Sequence, residues 1–175
     1  METKIKLLVD FEPKIFSNFF TKKKYKKKID LNIHGCEVID HQKELKLEEY
    51  DILIYFSQVE KVFLTYKDFL ETGKVNLPNI DKEIKLFSKI LKKYSLKNKK
   101  IFFFLWPLEV SDQFLGGLNF KKNGKNWIIN YINLNVSKNL SDINNIYLLD
   151  PNYFLINNQK KINIFDDKLK YLINC

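Results

Sequence analysis

Residues 50–58 read Tyr-Asp-Ile-Leu-Ile-Tyr-Phe-Ser-Gln, and their centre, Ile52 to Phe56, is an unbroken apolar run. A strand with no polar residue on either face is covered on both, which places it inside a parallel sheet. Ile101 to Trp106 repeats the pattern, and Ile146 to Leu149 is a shorter run of the same kind, ending at Asp150. Ile5 to Val9 opens the series and ends at Asp10. Ile29, Leu31 and Ile33 instead alternate with Asp30, Asn32 and His34, the pattern of an edge strand with one buried face.

Helical spacing fills the gaps. Ile80, Ile84, Phe87, Leu91 and Tyr94 share one face, following Pro78 and a cap assigned to Asn79. Ile128, Ile132, Val136 and Leu140 do the same later. Pro13 is a good first-turn residue for a helix burying Ile15, Phe16, Phe19 and Phe20. Strands alternating with helices predict a parallel sheet with helices on both faces, and right-handed crossovers favour strand order 2-1-3-4-5. The expected fold is α/β: a flavodoxin-like three-layer α/β/α sandwich with a five-stranded parallel sheet, one domain over residues 1–175. The end of the chain, 153–175, reads at best as a turn between two short strands around Ile156 to Ile162.

The chain has 175 residues, 45% of them hydrophobic, enough for a substantial core and too many for a disordered tail. All 30 basic residues are Lys, and there is neither Arg nor Ala. Lys, Asn and Ile make up 69 residues. Their codons can be almost wholly A and T, so the net charge of +9 reflects in part an AT-rich genome. Without Arg there is no arginine finger, no bidentate guanidinium clamp and no Arg-to-guanine contact.

Two Cys, Cys36 and Cys175, suit a reducing compartment, and the expected location is the cytoplasm. No apolar run is long enough for a membrane span. His34, Cys36 and His41 match no closed zinc spacing, so no metal is expected. No cofactor is expected either: there is no Gly-x-Gly-x-x-Gly and no Walker loop, and Gly116-Gly117 reads as a loop. Lys22 to Lys28 holds six Lys, reads as a solvated helix end, and lowers the net charge to +3 if removed. The scattered aromatics form no base-stacking platform, so nucleic acid is not expected as a partner.

In open α/β sheets, ligands bind beyond the carboxyl ends of the strands. Those ends carry Asp10, Ser57-Gln58, Trp106-Pro107 and Asp150. Asp10 is a candidate base or metal holder, or equally a cap before Pro13. Ser57 becomes a nucleophile only with a histidine in reach. His34 sits on the polar face of an edge strand, which leaves His41 as the histidine with a route to Ser57 or Asp10.

From Tyr50 onward the arrangement resembles the SGNH-hydrolase-like domain at the N-terminus of FkbH-like proteins. The similarity rests on Tyr50 to Ser57 with Glu60 just after, Leu105-Trp106-Pro107, Tyr131-Ile132-Asn133, Ile146 to Asp150, and Phe165-Asp166-Asp167-Lys168-Leu169-Lys170-Tyr171-Leu172. The resemblance implies an SGNH-type fold and a setting in surface-carbohydrate or polyketide-precursor biosynthesis. It implies as partners a haloacid-dehalogenase-type (HAD-type) phosphatase domain or a carrier protein, with this chain as the N-terminal part of a longer protein. An active SGNH hydrolase has Gly-Asp-Ser after the first strand and Asp-x-x-His near the end. Here Val9-Asp10-Phe11 and Asp167-Lys168-Leu169-Lys170 stand in those places.

The leading expectation is therefore a catalytically degenerate SGNH-like domain that binds a ligand or partner through Asp10, Ser57, Gln58, Trp106, Asn133 and Asp150. The second is an active esterase or acyltransferase with a non-standard triad drawn from Asp10, Ser57 and His41. A weaker third is a peripheral binder of anionic surfaces through Lys22 to Lys28.

Overall fold

A computed structural model describes residues 3–9, 29–35, 50–108 and 120–151, with residues 29–35 as backbone. Five strands run β1 (Thr3–Val9), β2 (Ile29–Gly35), β3 (Ile52–Phe56), β4 (Lys100–Phe104) and β5 (Ile146–Leu149). All pairs are parallel, in the order β2-β1-β3-β4-β5. This is the strand order expected from the runs and the crossover rule. The alternating segment forms β2 at one edge, β3 is central, and the short run 146–149 forms the other edge.

Register sorts the side chains. Leu8 lies beside Tyr55, Leu53 beside Ile101, Tyr55 beside Phe103, and Ile101 beside Ile146, so these residues share one face. That face is fully buried. On the opposite face Leu7 and Val9 of β1 are buried, Ile52, Ile54, Phe56, Phe102 and Phe104 are half-buried, and Tyr147 is 41% exposed. The helix expected from Pro13 and the end of the chain fall outside the described residues.

Four helices are described: α1 (Val59–Val62), α2 (Leu64–Thr72), α3 (Leu77–Ser95) and α4 (Lys125–Leu140). The buried stripe of α3 includes Ile80, Ile84, Phe87, Leu91 and Tyr94, and that of α4 includes Ile128, Ile132, Val136 and Leu140. Both stripes match the sequence reading. Phe87 places α3 on the buried face of the sheet, against Tyr55 and Phe103, and α4 packs beside α3 in the same core. The start of α3 differs from expectation. Asn76, not Asn79, caps it: the Asn76 side-chain oxygen accepts from the Asn79 backbone N–H at 3.2 Å. Pro78 thus sits inside the first turn, where its missing N–H costs nothing.

Helices α1 and α2 are additions to the sequence reading. Their buried residues Val59, Val62, Phe63, Tyr66 and Phe69 recur at helical spacing, so the signal was present in the chain. Gly73 ends α2 in the left-handed region, φ 71°, donating to the Phe69 carbonyl.

Helix α2 has no capping side chain of its own, and Glu83 of α3 supplies one. The Thr65 backbone N–H and hydroxyl each donate to the Glu83 carboxylate, both at 3.1 Å. Burial outweighs these bonds and, with Asp68 nearby, holds the Glu83 carboxyl above its ordinary value of 4.5. A raised native pKa means the folded chain binds this proton more tightly than the unfolded chain does. The contribution of Glu83 is then full below pH 4.5 and is lost as pH rises through the native value. Glu83→Gln keeps an acceptor for Thr65 without the charge. Thermal melts from pH 4 to 7 are expected to show Glu83→Gln at least as stable as the parent at about pH 7, with a flatter pH profile. A clear loss of stability at neutral pH, with the parent's slope retained, would show that the charge itself carries the cap.

Candidate functional site

The carboxyl edge of the sheet gathers the described members of the predicted set. Ser57 and Gln58 follow β3 directly, Trp106 comes two residues after β4, and Asp150 follows β5. Asp10 and His41 lie outside the described residues. His34 is in β2, paired in register with Leu8, on the edge strand.

Ser57 continues the alternation of Leu53 and Tyr55, so it turns toward the helical layer and is 5% exposed. Its Oγ is buried with no hydrogen-bond partner among the described residues. Gln58 takes the N-cap position of α1 with extended backbone, and its carbonyl accepts from Lys61. Helices α1 and α2 then fold back beside this corner, and Phe63 between them is fully buried against Trp106, ring centroids 5.1 Å apart.

The end of β4 explains why the apolar run outlasts the strand. The Leu105 N–H still donates to Leu149 at 2.9 Å, which continues the ladder for one bond. At Trp106 a side chain replaces the neighbouring strand. The Asn133 Oδ1 accepts from the Trp106 backbone N–H at 3.1 Å, and the Asn133 Nδ2 donates to the Trp106 carbonyl at 2.8 Å. Pro107 follows and has no N–H to extend the sheet. The amide of Asn133 thus clamps a peptide unit, acting as a positioning group for Trp106.

The Trp106 ring is held against Phe63, Phe87 and Phe103 and is 2% exposed. Its Nε1, like Ser57 Oγ, is buried with no hydrogen-bond partner among the described residues. A buried donor without a partner costs about 1–3 kcal/mol. Two such donors follow two adjacent strands at the edge where α/β sheets bind ligands. Asp150 is exposed at the outer end of the same edge.

Sequence reasoning missed the Glu83 cap and a second tie between helices, in which Tyr131 donates to Asp81 at 2.7 Å. That bond, more than burial, raises the Tyr131 phenol above its ordinary value. Trp127 stacks on Tyr131 at 5.6 Å, which covers the start of α4. Among the described residues, no three His, Cys, Asp or Glu side chains come together as a metal site, and no helix is long and apolar enough to cross a membrane.

No family model matches the chain, and no curated protein matches it. Among solved structures, the chain is similar to the N-terminal part of the protein BF1531 from Bacteroides fragilis, which contains a phosphatase domain and was crystallised in complex with Mg. The TM-score is 0.60 at 14% identity, over 89% of this chain and 42% of that one. The likeness is one of fold, and this chain spans less than half of that relative's length.

Proposed function

We propose that this chain is a catalytically degenerate SGNH-like domain, of the flavodoxin-like three-layer kind. It binds a ligand or partner of surface-carbohydrate or related biosynthesis at the carboxyl edge of β3 and β4. The observation that carries the reading is the pair of buried donors, Ser57 Oγ and Trp106 Nε1, unpartnered among the described residues at that edge. A ligand offering acceptors there would satisfy groups that otherwise destabilise the fold. The lack of Gly-Asp-Ser after β1 and of Asp-x-x-His near the end supports binding over hydrolysis. The structural likeness to a protein with a phosphatase domain supports a HAD-type phosphatase domain as the partner, in cis or in trans. A carrier protein is the alternative partner that the sequence resemblance implies.

The test has a chemical arm and a binding arm. A serine hydrolase needs a base in contact with its nucleophile, and that base commonly contributes about a hundredfold or more. We expect no turnover of p-nitrophenyl acetate or acetylated sugars and no labelling of Ser57 by a fluorophosphonate. The chain has two Trp, so Trp127→Phe leaves Trp106 as the fluorescent reporter. Titration of that variant with nucleotide-activated sugars and with a phosphopantetheinylated carrier protein is expected to give a saturable change with one class. Ser57→Val should weaken it about tenfold. Silence with both classes defeats the binding reading. Stoichiometric labelling that disappears in both Ser57→Ala and His41→Ala would establish the esterase or acyltransferase in its place.

A further inference from the structure

The opposite pole of the molecule carries a second feature. All five strands are parallel, so their amino ends share one edge, far from Ser57 and Trp106. Helices α3 and α4 also end there. Lys92, Lys93, Lys97, Lys99 and Lys100 cluster around the α3–β4 turn, Lys138 comes from the last turn of α4, and all six are exposed. The acids described at the same edge are Asp30, near the start of β2, together with Asp51 and Asp142. Asp51 is engaged by Lys99 and by the Lys4 backbone N–H, and these bonds, the Lys99 one foremost, hold its carboxyl below its ordinary value.

Lysines in a last helical turn are accounted for by the helix dipole, which covers Lys92 and Lys93. The dipole does not account for Leu96. This leucine sits at the tip of the turn, among the lysines, and is 86% exposed. It is presented by a fixed turn. The Asn98 side chain donates to the Tyr94 carbonyl at 2.9 Å, and the Asn145 side chain donates to the Ser95 and Asn98 carbonyls at 2.7 and 2.9 Å. These bonds tie the turn to itself and to the start of β5, so Leu96 projects from an ordered backbone.

We propose that this edge docks on an anionic lipid bilayer, with the lysines facing the headgroups and Leu96 entering the interface. A lone apolar tip inside a cationic ring suits a surface that is charged outside and apolar beneath. The lysines alone would serve a nucleic-acid backbone equally, but Leu96 would add nothing there, and Tyr94, the aromatic beside it, is buried and cannot stack on bases. The docking edge leaves the carboxyl edge of the sheet facing away from the membrane.

The test is co-sedimentation of the full chain with phosphatidylcholine vesicles containing about 30% phosphatidylserine. Binding is expected with these vesicles, absent with phosphatidylcholine alone, and strongly reduced by salt at several times about 0.1 M. A single lysine near such a surface is worth about fivefold. Replacing Lys92, Lys93, Lys97 and Lys100 together with Gln should therefore cost at least about tenfold, allowing for partial engagement. Leu96→Ser should cost about fivefold while leaving the melting curve unchanged, since the side chain touches little. Replacing Lys23, Lys24, Lys26 and Lys27 with Gln should preserve most of the binding. The proposal is overturned if the vesicles do not bind the parent chain, or if binding is lost only in that last variant. Tighter binding to a DNA duplex with no dependence on Leu96 overturns it equally.

Discussion

Phe87→Ala is expected to destabilise the protein by about 3–5 kcal/mol, read as a shift in urea midpoint at constant slope. The Phe87 ring lies 5.4 Å from Phe103, 5.7 Å from Tyr55 and Trp106, and 5.8 Å from Phe63, centroid to centroid. These four rings come from β3, the α1–α2 junction, β4 and the segment after β4. Removing their common neighbour opens a cavity that no single element can close, because each ring is fixed by a different backbone. The effect reaches the candidate site, since Phe63 and Trp106 lose a shared wall. The emission of Trp106, isolated by Trp127→Phe, should move to the red and gain access to acrylamide. Phe87→Leu retains most of the volume and should cost well under half as much. A loss below about 1 kcal/mol in Phe87→Ala would mean that the cluster does not pack as a unit.

The architecture was legible because burial leaves periodic marks. Ile29, Leu31 and Ile33 alternate in the edge strand β2, and Ile52 to Phe56 is unbroken in the central strand β3. The edge strand β5 is unbroken too, so the pattern follows how the faces are covered and not the number of neighbouring strands. Every residue read into the stripes of α3 and α4 is buried, because a helix on a sheet buries a fixed period, while Ser88, Asn126 and Ile129 beside them are buried as well and were not read. Helices α1 and α2 escaped notice although Val59, Val62, Phe63, Tyr66 and Phe69 carry the same period. The break at Phe63, where one helix ends and the next begins, divides that period between two short segments.

The site was legible in address and less so in role. Strand ends are visible in sequence, so Ser57, Gln58, Trp106 and Asp150 were placed at one edge correctly. Which atom of a polar residue is already engaged is a tertiary matter. Ser57 and Asn133 look alike as candidates in the chain. In the fold, the Ser57 hydroxyl has no partner among the described residues, while both ends of the Asn133 amide are bonded to one peptide unit. The cap at Glu83 was invisible for the same reason: Thr65 and Glu83 are 18 residues apart and meet only when α2 lies across the start of α3.

Asn133→Ala is the second large effect, expected at about 2–4 kcal/mol. Two hydrogen bonds are lost together, and the peptide of Trp106 is left with an N–H and a carbonyl in a part-buried setting. Neither group has an obvious replacement, because β5 ends at Leu149 and the chain turns into Pro107. Asn133→Asp separates the two halves of the clamp. A carboxylate still accepts from the Trp106 N–H, but it sets a negative oxygen against the Trp106 carbonyl, where the amide had donated. Its cost at neutral pH should approach that of the alanine variant. Part of that loss should be recovered as the pH falls and the new carboxyl protonates to become a donor again. Asn133→Gln carries the same two functions on a longer arm and should fall between the parent and Asn133→Ala. Urea titrations of the three variants at two pH values are sufficient. An Asn133→Asp variant as stable as the parent at neutral pH would show that the Trp106 carbonyl needs no donor, and the clamp would reduce to a single bond.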